Sequence, residues 1–194
     1  MTKIGIFGGT FDPIHIGHLI ICMWAKEALS LDLILIIPTA NPPHKQTEPS
    51  ASINDRCEMV RQAIKDISFF KFSDIEANSS EVTFTVNTLR YIRSAYADQN
   101  PELYLIIGDD SFKDLHLWKE PDEIFRISRI VVANRVGIKK TENTLSDRVT
   151  FLDTPVIAVS STIIRKRILA NKTIRFLIPA AVENYINNAG LYRE

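Results

Sequence analysis

The fold is decided by residues 3–37, which have the sequence KIGIFGGTFDPIHIGHLIICMWAKEALSLDLILII. Residues 3–7 and 33–37 are short apolar runs of the length that buried parallel strands have, and residues 17–29 have the spacing of an amphipathic helix. A strand, a helix and a second strand in this order form a βαβ unit, whose two strands are parallel. The stretch therefore predicts an α/β fold of the Rossmann-like class, an open parallel sheet with helices on both faces.

The alternation of helix-like and strand-like segments continues along the chain. Further strands are predicted at residues 69–75, 103–107, 130–133 and 149–152. Further helices are predicted at residues 54–65, 84–96, 122–127, 163–169 and 179–188, with a short helix that runs up to Trp118. The last two helices form a C-terminal helical portion, and we expect residues 1–194 to be a single domain. Residues 38–52 are predicted to be a functional loop, and residues 136–148 are a candidate mobile loop.

The composition is that of an ordinary globular protein and argues against several classes of function. Of the 194 residues, 45% are hydrophobic and 24% are charged, and 23 Lys and Arg balance 23 Asp and Glu. This balance leaves no broad basic surface for nucleic acid or an anionic membrane, so we expect neither as a partner. There is no membrane-length apolar run and no signal-peptide layout, so we expect a cytoplasmic protein. Cys22 and Cys57 lack the spacing of a zinc site.

The first loop, residues 8–18, has the features of a phosphate-binding loop. Gly8 and Gly9 follow the first strand, at the edge of the sheet where ligands bind and where glycine lets backbone amides approach an anion. His15 and His18 lie three residues apart at the entrance of the next helix, where the positive end of the helix dipole favours an anion. The spacing predicts that both imidazoles face a bound phosphate.

Other interpretations of the first loop are weaker. Either histidine alone would be explained as a capping or structural residue, and it is the pair that favours ligand binding. A zinc site would need a third protein ligand, and the nearby Asp12 is more simply explained as a turn residue before Pro13. A dinucleotide-binding fingerprint would need Gly-x-Gly-x-x-Gly and a P-loop would need Gly-Lys-Ser/Thr, and neither follows the first strand. We therefore expect no metal site built from protein ligands.

The second motif, residues 160–165, is another candidate anion site, with the sequence Ser-Ser-Thr-Ile-Ile-Arg. Hydroxyl groups and unpaired backbone amides at a helix start can bind phosphate oxygens, and Arg165 lies one turn farther on. Plain helix capping explains Ser161 and Thr162 equally well when the segment is considered alone. Both interpretations stay open on this evidence.

The first loop and the second motif together resemble a superfamily of nucleotidyltransferases that is marked by His-x-Gly-His. The first loop matches the superfamily form G-G-x-F-D-P-x-H-x-G-H at every position, and the second motif matches S-S/A-T-x-I-R. Over nearly its whole length the chain is similar to the bacterial nicotinate-nucleotide adenylyltransferases within this superfamily. The segments that carry the similarity are Asn41-Pro42-Pro43-His44-Lys45, Thr83-Phe84-Thr85-Val86-Asn87-Thr88-Leu89, Ile107-Gly108-Asp109-Asp110-Ser111 with Trp118, and residues 176–192.

The resemblance implies adenylyl transfer from ATP, with Mg²⁺ bound to it, to nicotinate mononucleotide. The products would be nicotinate adenine dinucleotide and pyrophosphate, in NAD biosynthesis. The phosphate of the acceptor would attack the α-phosphorus in line, so that positioning and charge stabilisation would replace a side-chain nucleophile. ATP and nicotinate mononucleotide are the implied partners, and homo-oligomerisation is left open.

The resemblance also implies the site residues. His15 and His18 are the candidate catalytic residues, and His18 is expected to stabilise charge on the α-phosphate. Candidate ATP contacts are Gly8, Gly9, Phe11, His15, His18, Gly108, Asp110, Ser160, Ser161, Thr162 and Arg165. Candidate contacts of the nicotinate nucleotide are Thr10, Asn41, Lys45, Thr85, Trp118 and Arg135. Structural explanations stay open for Asp110 as a helix cap, Trp118 as a core residue, Lys45 as a solvated charge and Arg135 as an ion-pair partner.

Three departures from the family pattern affect the pyridine side of the predicted site. Phe84 stands where relatives often carry tyrosine, Asp109 where a small residue is usual, and Lys119 where a second aromatic residue often follows the tryptophan.

One alternative function is that of an adenylyl- or cytidylyltransferase for another phosphate, such as nicotinamide mononucleotide, phosphopantetheine or glycerol phosphate. A nucleotide-binding regulator without catalysis is a second alternative, and the presence of both histidines and of the arginine in the second motif argues against it.

Overall fold

Six parallel strands form one open sheet in the computed structural model, which describes residues 1–40, 50–78, 82–135 and 144–193. The strands are β1 (Lys3–Gly9), β2 (Leu33–Pro38), β3 (Phe70–Phe72), β4 (Glu102–Gly108), β5 (Arg129–Arg135) and β6 (Thr150–Thr154). Their order across the sheet is β3-β2-β1-β4-β5-β6, and each pairing is parallel. The order changes direction between β1 and β4, so the connections that follow these two strands lead to helices on opposite faces of the sheet.

Helices cover both faces of the sheet. They are α1 (Ile16–Leu29), α2 (Ile53–Ile64), α3 (Thr85–Ala95), α4 (Asp109–Lys113), α5 (Pro121–Ile127), α6 (Ser161–Leu169) and α7 (Ala180–Ala189). One hydrophobic core receives residues of α1, α2, α6 and α7, and the other receives residues of α3, α4 and α5. The predicted fold class, an α/β sheet of the Rossmann-like type, is therefore confirmed.

Strand β2 shows why continuous apolar runs predicted the sheet correctly. Ile34 and Ile36 pack in one core, whereas Leu35 and Ile37 pack in the other. Successive side chains of a strand point to opposite faces, so a strand that is covered on both faces needs an apolar residue at every position.

The predicted elements are confirmed with three adjustments. The strand expected at residues 69–75 is reduced to β3, because a turn follows at residues 75–78. Helix α6 begins two residues earlier than expected, because the hydroxyl of Ser160 accepts a hydrogen bond from the backbone N–H of Ile163 and caps the helix there. The short helix before Trp118 is divided into α4 and a 3₁₀ turn at Leu115–Leu117.

Two predicted loops lie partly outside the described residues. These parts are residues 41–49 of the loop at 38–52 and residues 136–143 of the loop at 136–148. The described end of the second loop contains a 3₁₀ turn at Ser146–Arg148. In the described parts of the chain, no helix combines the length and the apolar character that a bilayer crossing requires. The single-domain organisation stays a prediction.

Candidate active site

A cleft of about 780 Å³ opens at the carboxyl ends of β1 and β4, where the strand order changes direction. Open α/β sheets bind their ligands at this position. The cleft brings together most of the predicted site residues, namely Gly8, Gly9, Thr10, Phe11, His15, His18, Thr85, Gly108, Asp110, Trp118 and Ser160. Residues that are distant in sequence thus face one space.

His15 and His18 stack on each other at the start of α1. Their ring centroids are 3.6 Å apart, and their planes differ by 19°. The backbone N–H of His15 donates a hydrogen bond to Nδ1 of His18 at 3.2 Å, so the proton of a neutral His18 ring is on Nε2. Gly17 permits the stacking, because a Cβ at that position would lie 3.1 Å from two atoms of the His15 ring. The His-x-Gly-His spacing therefore fixes both rings and the tautomer of His18.

Burial makes His15 a neutral hydrogen-bonding group. The residue is 6% exposed, and desolvation lowers the pKa of His15 to about 4, so the imidazole is uncharged at pH 7. Its Nδ1 is buried and has no hydrogen-bond partner among the residues that the structure describes. A neutral imidazole that lines the cleft can still donate a hydrogen bond through its ring N–H.

Phe11 closes the first loop over His18. Its backbone has a φ of 50°, a left-handed conformation that a bulky residue adopts only when the surrounding packing holds it there. The Phe11 ring meets the His18 ring edge-on, with 5.2 Å between the centroids. A Cβ at Gly9 would lie 2.9 Å from the Phe11 ring, so a side chain at that position would displace the aromatic ring. The glycine is thus needed for the packing of the loop as well as for exposing its amides.

Asp12 does more than the turn role that the sequence indicated. It is 5% exposed, and its Oδ2 accepts a hydrogen bond from the backbone N–H of Ser50 at 2.9 Å. Its Oδ1 accepts hydrogen bonds from the backbone N–H of Ala51 at 3.1 Å and from the hydroxyl of Tyr192 at 2.9 Å. The turn interpretation was incomplete, because this carboxylate joins the first loop to the residues before α2 and to the end of the chain.

The second motif binds the first loop. The Ser161 hydroxyl donates a hydrogen bond to the carbonyl oxygen of Pro13 at 2.9 Å. Nη1 of Arg165 donates to the carbonyl oxygen of Asp12 at 2.7 Å and lies 3.5 Å from Oδ2 of the same residue. Thr162 is exposed, and among the described residues Ser161, Thr162 and Arg165 are not part of the cleft lining. Their direct contact with ATP stays a prediction.

The end of β4 presents acidic side chains to the cleft. Gly108 ends the strand, and Asp109 and Asp110 form the first turn of α4. The Asp110 side chain is fully exposed, and its Oδ1 lies 3.3 Å from Nζ of Lys113. This carboxylate at the edge of the cleft is accessible to a ligand, as the predicted ATP contact requires.

The start of α3 and Trp118 form another side of the cleft. Thr85 is the first residue of α3, and Phe84 comes directly before it. Nζ of Lys119 lies over the Phe84 ring, 4.6 Å from its centroid, so two departures from the family pattern contact each other. Trp118 is partly buried, packs against the hydrophobic core and also lines the cleft, and its stacking on a pyridine ring stays a prediction.

Glu76 and Asn134 are among the polar residues that line the cleft and that were missed at the level of sequence. Glu76 is buried, and its carboxylate accepts hydrogen bonds from the Thr88 hydroxyl at 2.7 Å and from the Thr83 hydroxyl at 3.4 Å. Asn134 is buried near the end of β5, and its Nδ2 donates to the carboxylate of Asp153 at 3.2 Å. A polar residue at the end of a buried strand could have indicated Asn134, whereas Glu76 lies in a turn that no local pattern marks.

Three predicted contacts of the nicotinate nucleotide remain without a described side chain. Asn41 and Lys45 lie outside the described residues. For Arg135 the structure describes the backbone, which pairs with Thr154 at the end of β5. Their roles stay predictions.

Comparisons with known proteins identify the family and the fold of this chain. Residues 6–167 match the family model described as cytidylyltransferase-like. A probable nicotinate-nucleotide adenylyltransferase of Desulfitobacterium hafniense strain Y51 is 40% identical over 98% of this chain and 96% of its own. A relative with the same description from Clostridium perfringens strain SM101 is 39% identical over 100% of this chain and 99% of its own. The solved structure of Plasmodium falciparum nicotinic acid mononucleotide adenylyltransferase complexed with APC has the same fold, with a TM-score of 0.79 at 20% identity over 99% of this chain and 98% of its own.

Proposed function

This chain belongs to the cytidylyltransferase-like family and, within it, to the nicotinate-nucleotide adenylyltransferases, and we propose that it transfers the adenylyl group of ATP to nicotinate mononucleotide. The products are nicotinate adenine dinucleotide and pyrophosphate, in NAD biosynthesis. The observation that carries the proposal is the stacked pair of His15 and His18 at the start of α1, beside the cleft. A helix N-terminus with two imidazole side chains is suited to a triphosphate.

The 5′-phosphate of the acceptor is the nucleophile. One of its oxygens attacks the α-phosphorus of ATP in line, and the bond from that phosphorus to the bridging oxygen of the β-phosphate breaks as pyrophosphate leaves. No side chain has to form a covalent bond, so the protein contributes positioning and charge stabilisation. His18 provides the second contribution, because its Nε2–H, fixed by the hydrogen bond at Nδ1, donates to an α-phosphate oxygen as charge develops there.

The ATP side of the cleft consists of the first loop, the end of β4 and the second motif. The proposed ATP contacts are Gly8, Gly9, Phe11, His15, His18, Gly108, Asp110, Ser160, Ser161, Thr162 and Arg165. Asp110 is suited to the ribose hydroxyls, because its carboxylate is exposed at the edge of the cleft. Nη1 of Arg165 is bonded to Asp12, so the other guanidinium nitrogens would meet the phosphates.

The proposed acceptor side combines Thr10, directly after β1, with Thr85 at the start of α3 and with Trp118. The proposed contacts are Thr10, Asn41, Lys45, Thr85, Trp118 and Arg135. Trp118 stacks on the electron-poor pyridine ring. The N-terminus of α3 at Thr85 favours a negative charge, and the acid group is what distinguishes nicotinate from the neutral nicotinamide.

Mg²⁺ enters the site with ATP. In the described part of the chain no three His, Cys, Asp or Glu side chains are grouped as metal ligands, and the carboxylates that line the cleft include Asp109 and Asp110. This donor set fits Mg²⁺, which usually keeps several waters and is held by substrate phosphates plus one or two carboxylates. Asp109 would supply the carboxylate, and the ion would supply positive charge that stabilises the departing pyrophosphate.

The wider setting of the protein is also part of the proposal. Residues 1–194 act as a single domain in the cytoplasm, with ATP and nicotinate mononucleotide as partners and without nucleic acid or membrane. The balance of 23 basic and 23 acidic residues supports this, because it leaves no broad field to attract a polyanion. Homo-oligomerisation is left open.

Pyrophosphate release tests the function directly. Mg·ATP is incubated with nicotinate mononucleotide, nicotinamide mononucleotide, phosphopantetheine or glycerol phosphate, and both pyrophosphate and the adenylylated product are measured. We expect release with nicotinate mononucleotide and much slower release with the other acceptors. Equal rates with the two pyridine nucleotides would indicate dual specificity. Faster release with another acceptor, or ATP binding without release, would replace the proposal by one of the two alternatives.

A further inference from the structure

Arg56 is a buried charge that the proposed reaction does not use. It lies on α2, is 2% exposed, and shares the buried face of the helix with Met59, Val60 and Ala63. A guanidinium is expensive to remove from water unless hydrogen bonds replace its hydration. An arginine among apolar positions of a helix therefore needs specific partners in the fold.

The partners of Arg56 are backbone carbonyl groups at the ends of two neighbouring strands. Its Nη1 donates to the carbonyl oxygens of Thr10 and Thr39, both at 2.7 Å, and its Nη2 donates to that of Ala40 at 3.4 Å. Thr10 directly follows β1, and Thr39 and Ala40 directly follow β2. Thr10 and Thr39 also line the cleft, whereas Arg56 is not part of the lining. The guanidinium thus joins the ends of β1 and β2 from behind the cleft.

Asp12 is the negative partner of this charge. Burial lowers the pKa of Arg56, and the negative charge of Asp12 opposes that effect, so the guanidinium stays protonated. The Asp12 carboxylate also holds the backbone N–H groups of Ser50 and Ala51, directly before α2. Burial, with the nearby Asp12, raises the pKa of Tyr192, so its hydroxyl remains a donor to Asp12. We call Arg56 and Asp12 the buried pair.

We propose that the buried pair positions the acceptor side of the cleft, and that Arg56 is a positioning residue for binding of nicotinate mononucleotide. This inference rests on the proposed function. Thr10, whose carbonyl Arg56 holds, is a proposed contact of the acceptor, and Thr39 lines the cleft at the end of β2, away from β5 and β6. Nη1 donates to both the Thr10 and the Thr39 carbonyl, and the planar fork of the guanidinium fixes the directions of its N–H groups, which a lysine ammonium on a flexible stem does not.

The substitution Arg56→Lys tests this, because it retains the charge and removes the fork. We expect the KM for nicotinate mononucleotide to rise about tenfold, the value for loss of a hydrogen bond to a charged group, with the KM for ATP changed less than about twofold. Arg61→Lys is the matched control on the same helix. The Arg61 guanidinium stacks on Phe72 and pairs with Glu58 away from the cleft, so we expect wild-type constants for that variant.

The outcomes separate a positioning role from a structural one. A fall in kcat with both KM values unchanged, as a reduced fraction of folded enzyme would give, would overturn the positioning role. Equal increases in the two KM values would overturn it as well.

If Arg56→Lys does not fold, Tyr192→Phe provides the test, since it removes one hydrogen bond from Asp12. An acceptor KM raised about twofold or more would support the proposal, and an unchanged acceptor KM would overturn it. Wild-type enzyme without activity toward nicotinate mononucleotide would instead disprove the proposed function.

Discussion

The first loop and the second motif were both predicted to bind phosphate, and their side chains have different surroundings in the structure. In the first loop, the residues predicted to contact ATP line the cleft, from Gly8 to His18. In the second motif, Ser160 lines the cleft, whereas Ser161 and Arg165 donate hydrogen bonds to carbonyl groups of the first loop. The first loop therefore lines one side of the cleft, and the second motif holds the first loop in place.

This difference shows that a sequence motif can act on another motif as well as on a ligand. An arginine has five N–H donors in a rigid fork, so it can hold the loop with one nitrogen and meet phosphate with others. A serine hydroxyl has one donor, and the hydroxyl of Ser161 uses it on Pro13. Substitutions should therefore reduce enzyme activity most in the first loop, to an intermediate degree at Arg165 and only slightly at Ser161.

His18→Ala should have the largest effect. Removing a donor that stabilises charge on the α-phosphate is expected to lower kcat about 10² to 10³-fold, as for other preorganised donors of this kind. Steady-state pyrophosphate release checks this. His116→Ala is the control, because His116 is exposed and contacts the Lys113 carbonyl outside the cleft lining. Nearly full turnover in the His18 variant would remove the first loop from the chemical step.

Arg165→Ala should lower kcat/KM for ATP by about 10 to 100-fold. The estimate corresponds to the loss of charge-assisted hydrogen bonds, here one to the Asp12 carbonyl and those proposed to the triphosphate. The control is Lys166→Ala at the exposed next position of α6, which should behave as wild type. If the Arg165 variant loses stability and keeps its affinity for ATP, the second motif serves the first loop alone.

The pH dependence of stability should distinguish the two regions, because the second motif has no group that titrates between pH 4 and 7. The pKa of His15 is about 4 in the folded protein and has an ordinary value of 6.5. Between these values the unfolded chain binds the proton more readily. The free energy of unfolding should therefore be unaffected by His15 above pH 6.5, fall as the pH decreases toward 4, and level off below 4, with a total decrease of about 3 kcal/mol.

Denaturant unfolding of the wild type and of His15→Asn at several pH values measures this contribution. The difference between the two proteins, rather than either curve alone, isolates the histidine from the carboxylates that also titrate at low pH. The two free energies should converge as the pH decreases from 6.5 to 4. A difference that stays constant over this range would contradict a buried neutral His15.

Ser161→Ala should have the smallest effect. Loss of its hydrogen bond to the Pro13 carbonyl is expected to reduce the free energy of unfolding by about 0.5–1.5 kcal/mol, with activity changed less than about threefold. Thermal or denaturant unfolding measures the first quantity, and Lys166→Ala at an exposed position of the same helix is the control. A large loss of ATP affinity without a change in stability would show that Ser161 contacts the nucleotide directly.

Much of the fold could be predicted from the sequence, because its causes are local. Buried parallel strands need continuous apolar runs, and the runs that became β1, β2, β4 and β5 were recognised with errors of one or two residues at their ends. The strand expected at residues 69–75 was predicted too long, because a turn at residues 75–78 ends the extended backbone. The start of α6 was predicted two residues late, because capping by the Ser160 side chain was not assigned.

In the functional site, too, the features with local causes could be predicted and those that depend on long-range contacts could not. The first loop is contiguous, so its glycines and histidines could be recognised together. The buried pair could not, because Arg56 bonds to Thr10 across 46 residues and Tyr192 bonds to Asp12 across 180 residues. The arginine nevertheless had a local indication, since it occupies an apolar face of α2 where a charge is unusual. Pairings over such distances depend on the complete fold, which a local pattern does not specify.

The stereochemical course of the transfer tests most directly whether ATP and nicotinate mononucleotide react with each other in this cleft. The substrate is ATP carrying sulfur at the α-phosphorus in one known configuration, and the configuration of the dinucleotide product is determined. A single in-line attack by the acceptor phosphate, with the histidines stabilising charge, predicts inversion at phosphorus. Retention would indicate two successive displacements through an adenylylated side chain and would contradict catalysis by positioning and charge stabilisation alone.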